Sequence, residues 1–326
     1  MYINWPLYYI PKVFGFIAFL VNPIFIYLIF TGKSRKFGNY RFLLLYFAIF
    51  NVIYSIIDIL VPVGIFNYRY CFSIFITDGP FMEPSDFNRD MIIVRCSLIS
   101  CSYAILISHF LYRYLVIRNT EFTGPKFPIF MFGSILLCGL FFTFWYTVCY
   151  LAGQALDDKK IYLRKPFLIT YRMDPFELNM CGTLYNEGSD QTVITSWIGT
   201  ALITIESGIA IMIFITLGYS IMAQLNRVTF KISGETEKLQ RNLLKALIVQ
   251  TVIPFLISFT PCLLVWYAPA FNLDLGSAIT DINVIALPAF PFFDPLAIVM
   301  CLPLLRNRLL IWRTDKRRGG AQSSQL

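Results

Sequence analysis

Residues 40–66 read YRFLLLYFAIFNVIYSIIDILVPVGIF, an apolar run with few charged side chains. A helix needs about 20 mostly apolar residues to cross roughly 30 Å of hydrocarbon, because lipid offers the backbone no hydrogen-bond partner. This run is long enough, and six further runs share its length and apolar character: 8–31, 91–117, 127–150, 193–222, 244–268 and 281–304. The sequence therefore predicts seven transmembrane helices.

The composition agrees with a polytopic membrane protein and excludes a pair of soluble domains. The chain has 326 residues and only 14% of them are charged, whereas soluble domains carry about 25%. Its mean hydropathy is +0.64. No internal repeat is visible, which disfavours transporters built from duplicated halves. We expect residues 8–31 to remain as the first span, because no basic head and small-residue cleavage site mark them as a signal peptide.

Basic residues concentrate on one side of the predicted spans. Segments 32–41, 113–126, 223–245 and 305–326 hold 18 of the 27 lysines and arginines. Counting acids as well, that side carries about +14 and the other about −3. Because basic loops stay in the cytoplasm, the sequence predicts an all-α membrane protein, a seven-transmembrane helix bundle with its N-terminus outside and its C-terminus inside.

The basic balance is explained by this topology and does not indicate a nucleic-acid partner. Residues 1–304 form the predicted transmembrane domain, and 305–326 form a cytoplasmic tail. In that tail Leu305, Leu309 and Trp312 share one helical face while arginines lie between them. We expect a short amphipathic helix on the inner surface of the bilayer, with a frayed basic end as the alternative.

Cysteine usage offers one disulfide candidate and no metal site. Six of the eight cysteines lie in or beside predicted spans, which leaves Cys71 and Cys181 in the outer loops. Because that compartment is oxidising, a Cys71–Cys181 disulfide is our hypothesis. The chain has one histidine and no paired metal-ligand spacing, so neither a metal nor another cofactor is predicted. Span seven contains no lysine for a retinal Schiff base.

Polar side chains inside the spans are candidate functional residues, since an ionisable group in the bilayer is costly and normally faces the bundle interior. Asn51 and Asp58 are seven residues apart and lie on one stripe of span two. Glu206 lies midway along span five, and Asp294 lies deep in span seven.

Span three carries two arginines on one face. Arg95 and Arg113 are eighteen residues apart, which is five helical turns, and Ile99 and Tyr103 lie between them. For Asp58, Arg95 and Glu206 two interpretations stay open: contact with a small-molecule ligand in a cavity, or pairing between helices. For Asn51 helix pairing is favoured.

Prolines interrupt the last two spans. Positions 254, 261, 288, 291 and 295 are proline, and each removes an intrahelical hydrogen bond. The sequence predicts kinks in spans six and seven.

Several motifs resemble those of G-protein-coupled receptors. Residues 47–51, FAIFN, are similar to L-A-x-x-D with Asn51 in the acid's place, and 109–114, HFLYRY, carry Arg113 at the D-R-Y position. Phe259 and Pro261 stand where C-W-x-P would lie, with Phe259 in the tryptophan's place. Residues 293–298, FDPLAI, place Asp294 and Pro295 where N-P-x-x-Y would lie.

The same blocks, together with residues 39–55, resemble nematode serpentine chemoreceptors of the Str superfamily, class r or class j. The resemblance covers nearly the whole chain. It implies an odorant-type receptor in the plasma membrane of a sensory cilium, which binds a small molecule and activates a heterotrimeric G protein. It also implies that Arg113 gates the G-protein cleft and that Asn51 and Asp294 form a mid-membrane relay.

Two other classes compete with this interpretation. An ion channel or transporter would require continuous charged stripes or paired broken helices, whereas the charges here are scattered. An intramembrane enzyme is disfavoured, because His109 is the only histidine and Asp294 has no partner carboxylate in its own span.

Overall fold

The computed structural model describes residues 5–31, 38–118, 120–154, 157–228, 234–254, 256, 260–302 and 305–308. Ten α-helices lie in these ranges: α1 Trp5–Phe30, α2 Tyr40–Leu60, α3 Asp86–Ile117, α4 Phe127–Ala152, α5 Asp157–Tyr171, α6 Asp190–Val228, α7 Gly234–Pro254, α8 Thr260–Tyr267, α9 Ser277–Ala286 and α10 Phe290–Cys301. Three strands accompany them: β1 Val63–Tyr68, β2 Cys71–Ile76 and β3 Met180–Leu184.

The helices confirm the predicted bundle. Six stretches are long and apolar enough to cross a bilayer: α1 to α4, α6, and α9 continued by α10. Within the predicted span 244–268, the described residues form the end of α7 and the shorter apolar helix α8. Helix α3 lies at the centre and packs against both α4 and α6, while α1 packs against α2 and α10.

The predicted kink in span seven coincides with an irregular turn, whereas the junction in span six falls partly on residues 255 and 257–259, which lie outside the described residues. Helix α7 is described as far as Pro254, and Pro261 occupies the first turn of α8, where its missing N–H is tolerated. Between α9 and α10 the residues Leu287–Ala289 tighten into a 3₁₀ turn that contains Pro288. Pro295 lies inside α10.

The predicted end of span two at residue 66 is wrong. Helix α2 ends at Leu60, and residues 63–68 form strand β1. Pro62 explains the change, since it restricts Val61 away from the helical region, and Val61 adopts φ −122° and ψ 67°. Apolar character alone does not distinguish a buried strand from a helix.

Other boundaries also move. Helices α3, α6 and α7 begin before the predicted spans, at Asp86, Asp190 and Gly234, and α6 continues to Val228. The predicted basic loop 223–245 is therefore largely helical in its described part. Of the predicted tail helix, residues 305–308 are helical, and Leu309 and Trp312 lie outside the described residues.

The strands form one antiparallel sheet in the order β1-β2-β3. Ile65 lies opposite Ile74, and Ile74 lies opposite Cys181. One face of the sheet covers the end of the bundle where α2 finishes, and α5 packs on the other face through Phe66, Phe75 and Phe167. We call this covered end the cap end, and the end where α3 finishes at Ile117 the basic end.

Candidate functional site

A cavity lies in the cap end of the bundle, directly beneath the sheet. The volume within which the centre of a water molecule can move is about 70 Å³. Its walls are mostly apolar and aromatic, which is typical of small-molecule sites. The lining residues are Val63, Ile65, Phe72 and Ile74 of the sheet, Tyr54 of α2, Arg95, Cys96, Ile99 and Tyr103 of α3, Trp145 of α4, Thr200, Ile203, Thr204 and Ser207 of α6, Cys262, Leu263, Trp266 and Tyr267 of α8, and Leu287.

A buried ion pair forms part of the wall. The Nε of Arg95 lies 2.8 Å from Oδ1 of Asp58, and the two side chains are only 7% and 3% exposed. Arg95 also donates through Nη1 to the carbonyl oxygen of Val61, one of the carbonyls left over where α2 ends. The ion pair therefore joins the end of α2 to α3. Arg95 lines the cavity with its charge neutralised by Asp58.

The sheet is fixed to the rim of the bundle by polar contacts. Asn67 donates from Nδ2 to the carbonyl oxygen of Val265 at 2.7 Å. Nε1 of Trp266 donates to Oγ1 of Thr200 at 3.2 Å. The ring of Trp266 stacks on Phe72 with centroids 5.1 Å apart. These contacts hold the strands as a roof over the cavity.

Behind the roof, a buried lysine secures helix α5. Nζ of Lys159 donates to the carbonyl oxygens of Ala152, Gln154 and Gly182, at 3.1, 2.7 and 2.9 Å. Burial lowers the pKa of this ammonium group. The three carbonyls satisfy its three donors, so Lys159 joins the end of α4, the start of α5 and strand β3.

The predicted Cys71–Cys181 disulfide is wrong, because both thiols are free. Cys71 lies opposite Leu184, while Cys181 lies opposite Ile74. Residues directly opposite share a face, and alternate residues change face, so the two thiols point to opposite sides of the sheet. Burial raises the pKa of Cys71 to about 12 and that of Cys181 to about 11, which keeps both protonated at neutral pH.

A second polar cluster lies near the basic end. The guanidinium of Arg113 lies over the ring of Tyr40, with its Cζ 3.5 Å from the centroid. The hydroxyl of Tyr40 lies 3.0 Å from Nδ1 of His109, and Tyr112 stacks on the same tyrosine at 5.5 Å. All four residues are buried. This is a cation–π arrangement, which is worth more when water is excluded.

Between the two ends, asparagines connect three helices. Asn51 donates from Nδ2 to Oδ1 of Asn22 at 3.4 Å. Asn22 in turn donates to the carbonyl oxygens of Ala18 and Pro291, at 2.9 and 3.1 Å. Asp294 is buried one helical turn beyond Pro291. The contact from Asn51 thus reaches the helix that carries Asp294 through Asn22, a residue that the motifs had not singled out.

Of the predicted ligand residues, Arg95, Ile99 and Tyr103 line the cavity, and Asp58 supports it through Arg95. Glu206 precedes the lining residue Ser207 and is half-buried, but it is not part of the lining.

The predicted switch residues are spread along the bundle. Arg113, Asn51 and Asp294 occupy the positions given above, Pro261 begins α8 and Pro295 lies within α10. Phe259 lies outside the described residues.

Sequence reasoning missed the roof and the α8 wall. Phe72, Ile74 and Trp266 line the cavity, and none of them is polar or belongs to a motif. The available signal was local: Pro62 ends the helix, and Arg69 and Tyr70 form the two-residue turn between β1 and β2, with Arg69 at φ +48°.

Comparison with known proteins agrees with this architecture. The family described as the serpentine-type 7TM GPCR chemoreceptor Srj matches residues 1–309. Serpentine receptor class J-38 of Caenorhabditis elegans is 43% identical over 313 residues, which cover 96% of this chain and 95% of that protein.

Two more distant relatives come from the same nematode. G-protein coupled receptor str-33 is 23% identical over 88% of this chain and 85% of its own length. Serpentine receptor class r-10 is 20% identical over 92% of this chain and 89% of its own length. The predicted resemblance is confirmed, and within it the chain belongs to the Srj family of serpentine seven-transmembrane chemoreceptors.

Proposed function

We propose that this chain is a chemosensory receptor that binds a small apolar molecule in the cap-end cavity and activates a heterotrimeric G protein at the basic end. The cavity is the observation that carries the proposal. Its lining is apolar and aromatic apart from Arg95 and a few hydroxyl groups. Because Asp58 neutralises Arg95, we expect a neutral ligand with at most one or two hydrogen-bonding groups.

The orientation follows from the charge distribution. Of the basic segments, described residues such as Arg41, Arg118 and Arg227 lie where α2 begins and where α3 and α6 finish, at the basic end. We therefore place that end in the cytoplasm and the sheet with α5 outside the cell. The plasma membrane, and by family resemblance the sensory cilium, is the proposed location. An epitope tag at the N-terminus, detected on intact cells, tests this orientation.

The proposed mechanism is a shift between two helix arrangements. The cavity is lined jointly by α3, α6 and α8, and α3 and α6 run from the cap end to the basic end. A ligand in the cavity would therefore contact two helices that reach the proposed G-protein site. A ligand that fits one arrangement better shifts the population by no more than its difference in affinity.

Helix α6 spans 39 residues, about 58 Å at 1.5 Å per residue, and therefore projects well beyond the bilayer. Near the last turn of α6, at the basic end, Nη2 of Arg241 on α7 donates to Oδ1 of Asn226 on α6 at 3.4 Å. A movement of α6 and α7 would open a cleft beside Arg113 for a helix of the G protein. Basic groups around the cleft would complement an acidic partner surface.

The test is a second-messenger assay in cells that express the chain. A panel of volatile and weakly polar compounds is applied, with and without a co-expressed G protein. We expect at least one compound to give a response that requires both the chain and the G protein. A current that persists without the G protein would instead support the channel interpretation.

A further inference from the structure

The side wall of the cavity is only one side chain thick at the seam between α6 and α8. Three residues both line the cavity and reach the outer surface of the bundle: Thr204 is exposed, Leu263 is 42% exposed and Tyr267 is partly exposed. Their neighbours Ile205 and Leu264 are 58% and 51% exposed and do not line the cavity. In a bundle of this hydropathy, that outer surface faces lipid.

Among the described residues, the side chains that line the rest of the cavity are buried or partly buried. The roof residues Ile65 and Phe72 are 5% and 3% exposed, and helix α5 covers the far face of the sheet. At the seam between α4 and α6, a Cβ placed on Gly199 would come within 2.4 Å of the Cβ of Ala152, so these helices are in direct contact there. A smaller cavity beside this contact also reaches Cys96, and its lining residues are buried or partly buried. Leu287, on the side of α9, is also buried.

The seam is bridged by two side chains. The hydroxyl groups of Thr204 and Tyr267 contact each other across it. One turn nearer the roof, Trp266 and Thr200 join the same two helices. Below the Trp266 contact, therefore, a hydroxyl pair and the side chain of Leu263 separate the cavity from the hydrocarbon of the bilayer.

We propose that ligands enter and leave the cavity sideways from the bilayer, through the seam between α6 and α8, with the Thr204–Tyr267 hydroxyl contact as its latch. The inference rests on the proposed function and adds the route and the ligand class: neutral molecules that partition into membranes. A charged molecule would be excluded from this route, because transfer of a charge into hydrocarbon is energetically unfavourable. The roof can then stay closed during binding, held by Asn67 and Trp266.

The test uses Cys96, which lines the cavity from the central helix α3, as a reporter of access. The full chain in lipid nanodiscs is treated with propyl methanethiosulfonate, which is neutral, or with 2-sulfonatoethyl methanethiosulfonate, which is anionic. In both reactions the thiolate forms a disulfide and methanesulfinate leaves. Modification of Cys96 is followed by peptide mass spectrometry and expressed relative to the same reagent's rate on the unfolded chain.

We expect the neutral reagent to modify Cys96 at least tenfold faster than the anionic one on this relative scale. Leu263→Trp should slow the neutral reagent at least fivefold, because the larger side chain fills the seam. Leu264→Trp is the matched control, on the same helix and facing lipid, and should leave the rate unchanged within twofold. Tyr267→Phe removes the hydroxyl contact with little change in volume and should raise the rate twofold or more.

Equal relative rates for the two reagents, modification by neither, or equal effects of the two tryptophan variants would overturn the proposal. Tyr267→Phe gives an independent result if Leu263→Trp fails to fold. The labelling needs no G protein, so its failure leaves the receptor assignment standing. Conversely, the absence of any G-protein-dependent response would remove the receptor assignment without changing the access result.

Discussion

Arg95 and Arg113 lie on the same face of α3, five turns apart, and both are buried, at 5% and 3% exposure. Their surroundings differ. Arg95 is paired with the carboxylate of Asp58, whereas Arg113 rests its guanidinium on the ring of Tyr40. Removing the carboxylate of Asp58 leaves Arg95 as a buried charge without its counter-ion, whereas removing the ring of Tyr40 takes away a neutral contact of Arg113. The comparison therefore predicts a larger loss of stability from breaking the cap-end pair than from removing the tyrosine ring.

Breaking the cap-end pair should have the largest effect. Asp58→Ala leaves Arg95 buried without its carboxylate, and we expect a loss of about 3–5 kcal/mol in the free energy of unfolding. The double variant Asp58→Ala/Arg95→Met removes both charges and should recover most of this loss. Thermal unfolding of the purified receptors measures both. A single variant as stable as the parent would contradict the assignment of a structural ion pair.

Arg113→Ala should separate signalling from folding. We expect at least a tenfold loss of G-protein activation with surface expression and ligand affinity retained, because the cap end is unchanged. Arg118→Ala is the matched control, since Arg118 is exposed one residue past the end of α3. Equal signalling in the two variants would remove Arg113 from the proposed gate.

Two substitutions at Tyr40 separate the contribution of its ring from that of its hydroxyl group at the basic end. Tyr40→Phe keeps the ring beneath Arg113 and loses the hydroxyl contact with His109, at a cost of about 1 kcal/mol. Tyr40→Leu also loses the ring and should cost about 1–2 kcal/mol more. Thermal unfolding of the pair gives the difference. If the leucine variant is no less stable than the phenylalanine variant, the cation–π contact contributes nothing.

A partly exposed ion pair gives the smallest expected effect. Asp78 accepts hydrogen bonds from Lys12 at 2.8 Å and Tyr8 at 2.7 Å, and these bonds lower its pKa from 3.8 to about 2. Ionised Asp78 therefore stabilises the fold above about pH 4, and this stabilisation is lost as the pH falls towards 2.

Because solvent screens this pair, we expect Asp78→Asn to cost only about 0.5 kcal/mol at pH 6. The difference in unfolding temperature between the variant and the parent should shrink at pH 3. A difference that is constant or larger at pH 3 would contradict this role for the carboxylate.

The bundle could be predicted from the sequence because each span is determined by the residues of its own segment, whose contributions simply add. Apolar runs of about 20 residues and the charge between them depend on composition along a segment, and the buried stripe that contains Asn51 and Asp58 follows from helical spacing. The position of Arg95, Ile99 and Tyr103 in the cavity lining could be predicted for the same reason, since charges in a span indicate the face directed at the bundle interior; their contact with a ligand stays a prediction.

The roof could not be predicted, because it depends on pairing between distant segments. The register that places Ile74 opposite Cys181 joins residues more than a hundred positions apart, and a shift of one residue would have turned the two cysteines to one face. The disulfide hypothesis failed on this point. Glu206 illustrates the other limit, since a polar residue on a span can lie beside a cavity without lining it.

Two tryptophan substitutions on α3, compared in the G-protein assay, test whether the ligand occupies the cavity. Ile99 lines the cavity, whereas Leu111 is 36% exposed and lies outside the cavity lining. We predict that Ile99→Trp fills the cavity and lowers the potency of an active compound at least tenfold at normal surface expression, while Leu111→Trp responds like the parent. An unchanged response in Ile99→Trp would show that the ligand does not occupy this cavity.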